Sequence, residues 1–106
     1  MAHILVTGAS GFVGAAVVAA LAARGDRVTA FDMGLSPALR KIAEQYDSVR
    51  PVLGEITECP AVMALFKEDA PDCVFHAAAI VGVIASVRAP MRTFEVNIGG
   101  SINLLE

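Results

Sequence analysis

Thr7-Gly8-Ala9-Ser10-Gly11-Phe12-Val13-Gly14 is the stretch whose residue types and spacing could do chemistry. Its glycines recur at every third position, between a short apolar run, His3-Ile4-Leu5-Val6, and a long apolar segment from Ala15 to Ala23. Strand, tight turn and helix start follow one another without a gap, and that context is what gives a glycine pattern meaning. Gly8 lets the chain reverse where a side chain would clash. Gly11 leaves bare backbone that a pyrophosphate can approach, and Gly14 allows close packing of helix on sheet. The unpaired N–H groups and positive dipole end of the helix then face the phosphates. The chemistry implied is dinucleotide recognition, with Gly8, Ser10, Gly11, Phe12, Val13 and Gly14 as the phosphate-side residues.

Asp32 is the second candidate, 18 residues after Gly14 and at the end of the next apolar run, with Met33 beside it. A carboxylate there can accept hydrogen bonds from both hydroxyls of an adenosine ribose and would repel a 2′-phosphate, so NAD is favoured over NADP. Arg40 and Lys41 are the nearest basic residues downstream and lie on a helix, where they are not expected to rescue NADP. The single tyrosine, Tyr46, has Arg50 four residues on. It falls beside the adenosine half, and an always-protonated arginine is a poor proton-transfer partner. No zinc, nucleophile-triad or paired-carboxylate constellation occurs, so neither a catalytic residue nor a metal ligand is assigned.

These residues need a parallel sheet to position them. Apolar runs alternate with helical patterns four times, the signature of βαβ units. Strands are expected at His3–Thr7, Arg27–Asp32, Val49–Leu53 and Cys73–His76. The first helix spans about Phe12 to Arg24, stops at Gly25, and is apolar nearly all round, so it is expected to be buried closely against the sheet. Ser36 caps a second helix with Pro37 at its first position and Leu39, Ile42, Ala43 and Tyr46 on one face. A third helix covers Pro60 to Glu68 and is stopped by Pro71. Pro51 places the third strand at a sheet edge, as the order 3-2-1-4 requires. The fourth strand reads as central and buried. A last helix begins near Pro90, with Met91, Phe94, Ile98, Ile102 and Leu105 on one face.

The composition is 56% apolar with a mean hydropathy of +0.64 across 106 residues. A sheet buried on both faces explains this better than a membrane segment. The longest apolar run falls short of the roughly 20 residues that span a bilayer, and neither a signal peptide nor an anchor is read. A net charge of −3 without a basic cluster argues against nucleic acid. Cys59 and Cys73 read as buried free thiols in a reducing, cytoplasmic compartment.

The T-G-x-x-G-x-x-G turn resembles that of the short-chain dehydrogenase/reductase superfamily, in particular its extended branch of NAD-dependent epimerases and dehydratases. Gly54-Glu55-Ile56 resembles that branch's Gly-Asp-Ile/Leu element, which touches the adenine, with glutamate in place of aspartate and Ile56 as an apolar wall. His76-Ala77-Ala78-Ala79 resembles its His-x-Ala-Ala element, where small side chains let the backbone approach the cofactor. His76 itself reads as structural. Ser86 and Pro90 fit a Ser-x-x-x-Pro element, and Asn97-Ile98-Gly99-Gly100 resembles Asn-Val-x-Gly-Thr, making Asn97 a supporting residue.

The resemblance implies a doubly wound, Rossmann-type parallel sheet with helices on both faces, and NAD as cofactor. It implies a nucleotide sugar or other hydroxyl substrate, oxidised by hydride transfer in the complete protein. The branch's reaction needs a Tyr-x-x-x-Lys pair beyond the fourth strand, which this chain lacks. The chain is therefore expected to be the N-terminal part of such an enzyme, over 1–106, and inactive alone. A non-catalytic NAD sensor or an interaction module on the same fold is the competing expectation. The branch tends to dimerise through its fourth helix, and an open strand edge invites pairing, so a homo-oligomer is expected.

Overall fold

The computed structural model describes residues 2–78. In them β1 (His3–Thr7), α1 (Phe12–Ala23), β2 (Arg27–Asp32), α2 (Pro37–Gln45), β3 (Val49–Leu53), α3 (Cys59–Asp69) and β4 (Cys73–His76) alternate along the chain. The strands form one parallel sheet in the order β3-β2-β1-β4. Pro51 lies in β3, at the edge, where a missing N–H breaks no ladder. The last helix, from about Pro90, and with it Ala79, Ser86, Asn97 and the expected dimer face, lies outside the described residues.

Side chains alternate across a strand, so each strand feeds two layers. Ile4, Val6, Val28 and Ala30 point to one face and pack with Val18 and Ala22 of α1 and Leu39 of α2. Leu5 and Phe31 point to the other and pack with Ile56 and with Val62 and Leu65 of α3. All five residues of β1 are buried, which accounts for the unbroken apolar run that precedes the glycines.

Helix α1 packs on the sheet as expected, though on one face only, while the expectations of a buried β4 and of buried thiols are overturned. Helix α1 buries only the stripe Gly14, Ala15, Val18 and Ala22, while Phe12, Val13, Ala16, Ala20 and Ala23 are exposed. A helix lying on a sheet has one face against it, and an apolar composition does not change that geometry. Strand β4 pairs only with β1 among the described strands, and all four of its residues are exposed. Cys73 is consequently exposed and Cys59 half-buried, both as free thiols.

The helix ends follow local chemistry. Gly25, at φ +95, closes α1: its N–H reaches the Ala22 carbonyl and the Asp26 N–H reaches that of Leu21, the paired bonds of a Schellman motif. Ser36 caps α2 by accepting the Leu39 N–H at 3.2 Å. Helix α3 ends on Ala70, held at φ 44 just before Pro71.

A polar chain crosses the α3 side of the sheet. The Thr29 hydroxyl donates to Asp69 Oδ2 at 2.7 Å, so it must accept from His3 Nε2 at 2.8 Å. Arg50 closes the chain on the same Asp69 carboxylate at 2.5 Å. Burial by itself would raise the Asp69 pKa, but the bonds from Thr29 and Arg50 and the Arg50 charge hold it below its ordinary 3.8. Asp69→Ala strands the buried Thr29 hydroxyl and should cost about 2 kcal/mol of stability. Arg50→Ala removes a half-exposed partner and should cost about 1 kcal/mol or less. Urea unfolding of the two variants checks the difference.

Candidate functional site

The site grows from the carboxyl end of β1. Thr7 is fully buried there, and its hydroxyl accepts the N–H groups of Ala77 at 3.1 Å and Ala78 at 3.2 Å. The same hydroxyl is hydrogen-bonded to His76 Nδ1, 2.6 Å away. Partial desolvation of the His76 ring on its Thr7 side lowers its pKa from the ordinary 6.5 and favours the neutral form, although the residue as a whole is exposed. It is a structural histidine, as expected from its place at a strand end.

Gly8 sits where two demands meet. Its φ is +68, and a Cβ there would lie 2.7–2.8 Å from the Ala77–Ala78 backbone. The small residues after β4 thus allow that backbone to approach the glycine turn. Gly14 differs from expectation in what it packs against. A Cβ there would lie 2.0 Å from the Gly8 carbonyl oxygen, so it fits the helix against the turn rather than the sheet. Gly11 is the exposed N-cap of α1, and no side chain caps the helix's first turn. Phe12 and Val13 project outward at 95% and 57% exposure, so what they can offer a phosphate is their backbone.

Asp32 lies at the end of β2, directly beside this turn. Its Oδ2 accepts the Ser10 N–H at 2.9 Å and its Oδ1 accepts the Met33 N–H at 2.7 Å. A carboxylate can accept about four hydrogen bonds, so two backbone donors orient it and leave capacity for ribose hydroxyls. Met33 is exposed next to it. The Ser10 hydroxyl donates to the Gly34 carbonyl at 2.5 Å and accepts the Ser36 N–H at 3.0 Å. Ser10 thereby ties the glycine turn to the β2–α2 connection.

The third element departs from expectation in part. Gly54 is required by the ring of Phe31, whose nearest atom would lie 2.7 Å from an added Cβ. Ile56 is 4% exposed and committed to the core with Phe31 and Val62, so its side chain is not an open wall for a base. Glu55 is half-buried, and its carbonyl accepts the Glu58 N–H at 3.0 Å. Tyr46 packs against the core and Arg50 serves Asp69, so the two do not form a reactive pair.

The site thus brings together Gly8, Ser10, Gly11, Phe12, Val13, Gly14, Asp32, Met33, Ala77 and Ala78, while Ala79 and Asn97 lie outside the described residues. Two roles were missed in the sequence, those of the Thr7 and Ser10 hydroxyls. A polar residue ending an unbroken apolar strand was the available signal for Thr7. Among the described residues no group of three or more His, Cys, Asp or Glu could hold a metal ion, and no helix is long and apolar enough to cross a membrane.

A parallel sheet in the order 3-2-1-4, with a glycine turn leading into an uncapped helix and an acid ending the second strand, defines a Rossmann-type nucleotide-binding unit. The chain belongs to the NAD dependent epimerase/dehydratase family, whose sequence model matches residues 4–106. It is 36% identical over 109 residues to a 3 beta-hydroxysteroid dehydrogenase/Delta 5-->4-isomerase of Mycobacterium tuberculosis, covering 99% of this chain and 28% of that protein. It is 38% identical to UDP-glucuronate 4-epimerase 4 of Arabidopsis thaliana, covering 97% of this chain and 25% of that protein. Among solved structures it superimposes with a TM-score of 0.88 on a UDP-glucose-4-epimerase from Stenotrophomonas maltophila with bound NAD and formylated UDP-arabinopyranose. That pair is 31% identical, and the match covers 99% of this chain and 32% of the epimerase. The chain therefore spans about a quarter to a third of the length of these relatives.

Gly8→Ala forces a left-handed alanine into the Ala77–Ala78 backbone and should cost about 3 kcal/mol, measured by thermal or urea unfolding. The lowered His76 pKa also sets a pH dependence. The unfolded chain takes up the proton first, so this stability is complete above pH 6.5 and is lost as pH falls towards the folded value. Unfolding free energy should drop between pH 7.5 and 5.5, and the drop should shrink in His76→Asn.

Proposed function

We propose that this chain is the NAD-binding part of an epimerase, dehydratase or dehydrogenase that acts on a nucleotide sugar or related hydroxyl compound by hydride transfer. The observation that carries it is the pairing of an uncapped α1 first turn with an Asp32 carboxylate pre-oriented by Ser10 and Met33. The first turn would take the pyrophosphate on its N–H groups, with Gly11 giving close access. Asp32 would take both hydroxyls of the adenosine ribose. NAD, when bound, supplies a hydride acceptor that can return what it accepts. No Tyr-x-x-x-Lys pair occurs in residues 1–106, which we read as the domain's N-terminal part, so these residues would supply cofactor binding and orientation.

The relatives support this reading at the level of substrate class. One is a steroid dehydrogenase/isomerase and others are epimerases of UDP-sugars, and the Stenotrophomonas structure carries NAD with a UDP-sugar. Shared membership with such enzymes favours this reading over a sensor with no reaction of its own. The protein is read as cytoplasmic, in keeping with its free thiols.

Calorimetric titration with NAD is the test. The chain should bind NAD, and Asp32→Ala should weaken binding at least about tenfold through loss of charged hydrogen bonds. The chain should turn over no UDP-sugar by itself. Absence of NAD binding at millimolar concentration would overturn the proposal.

A further inference from the structure

We propose that Ser10 is a positioning residue for cofactor binding, whose hydroxyl does not touch the dinucleotide but fixes the Asp32 carboxylate that would hold the adenosine ribose. The inference rests on the NAD-binding reading above and adds to it a residue that acts through another.

By sequence Ser10 falls on the phosphate side, and the structure engages its side chain elsewhere. A phosphate is bound by donors, and a serine hydroxyl has one proton to donate. That proton goes to the Gly34 carbonyl at 2.5 Å, while the hydroxyl oxygen accepts the Ser36 N–H at 3.0 Å. Both partners are backbone groups of residues 33–36, the connection between β2 and α2. The hydroxyl therefore cross-links the glycine turn to that connection.

The Asp32 carboxylate is held between the same two segments. Its Oδ2 takes the Ser10 N–H at 2.9 Å, from the turn. Its Oδ1 takes the Met33 N–H at 2.7 Å, from the connection. The spacing of these two donors is set by how the segments are fastened, and the Ser10 hydroxyl fastens them. Packing does little of this work near Asp32. Met33 and Gly34 are exposed, and a Cβ at Gly34 would meet nothing within 4 Å. Leu35 packs against the core, one residue beyond them. Ser10→Ala keeps the backbone N–H on Oδ2 but releases the connection, so the donor on Oδ1 loses its fixed place. A carboxylate that is already oriented loses less freedom on taking two ribose hydroxyls, and that advantage is what the hydroxyl supplies.

Titration calorimetry on the full chain tests this with two probes, ADP and 2′,3′-dideoxy-ADP, which keeps the phosphates and lacks the ribose hydroxyls. Circular dichroism confirms that each variant is folded. Ser10→Ala should weaken ADP binding about fivefold, the worth of about one hydrogen bond, and dideoxy-ADP binding by less than about twofold. Ser10→Thr, which keeps the hydroxyl, should bind ADP within about twofold of the parent. In an Asp32→Ala background, adding Ser10→Ala should change ADP affinity by less than about twofold, since no carboxylate is left to position. Hydrogen exchange on the ligand-free chain should quicken at the Met33 and Ser36 amides of Ser10→Ala and stay unchanged in β1, whereas general loosening would quicken both. The inference fails if Ser10→Ala weakens both probes equally, or if it leaves ADP binding unchanged. It fails equally if the loss persists in full without the Asp32 carboxylate. A parent chain that binds neither ADP nor NAD would instead remove the NAD-binding reading, and the inference with it.

Discussion

The buried Thr7 hydroxyl is hydrogen-bonded to three groups at the carboxyl end of the sheet. Two N–H groups from the chain after β4 arrive on its oxygen, and His76 Nδ1 is its third partner. Because those N–H groups belong to Ala77 and Ala78, the backbone they carry is drawn against Gly8. Gly8 then tolerates no side chain, and its carbonyl in turn excludes one at Gly14. The glycine spacing is thus a record of contacts that begin at a threonine. The glycine turn inherits its shape from the buried side of the structure.

A second hydroxyl plays the corresponding part towards the other strand. Through Ser10 the same turn is fastened to the connection leaving β2, and the Ser10 N–H orients the carboxylate of Asp32. The two halves of the candidate site are therefore not independent surfaces. The glycine turn and the acid at the end of β2 share a residue, and a change at either is felt by both.

Most of the architecture was legible because it rests on periodicity and on residues with one local meaning. Proline at the start of α2, serine before it, glycine after α1 and proline in the edge strand each did what isolated backbone chemistry requires. The site was legible to the extent that a backbone constraint was written as glycine or as an acid at a strand end. What escaped was of another kind. Whether α1 is buried on one face or all round depends on what lies opposite, which an alanine-rich run does not record. The exposure of β4 depends on which neighbours it has, and the role of Ile56 on a ring contributed from β2. Side-chain hydroxyls gave little sign, since Thr and Ser are compatible with strand and turn whether or not they bridge distant segments.

The strand order has a kinetic meaning. Ile4 pairs with Val28 on one side and with Cys73 on the other, so the second pairing closes a loop nearly three times as long. By chain-entropy scaling that closure costs about 1 kcal/mol more than the first. The segments β1 to β3 and their helices can assemble through short-range pairings alone, before β4 docks. The Thr7 hydroxyl meets its three partners only when that docking happens. Maturation of the glycine turn therefore waits on the longest-range event in the sheet, and a ligand that grips the turn would trap the docked strand.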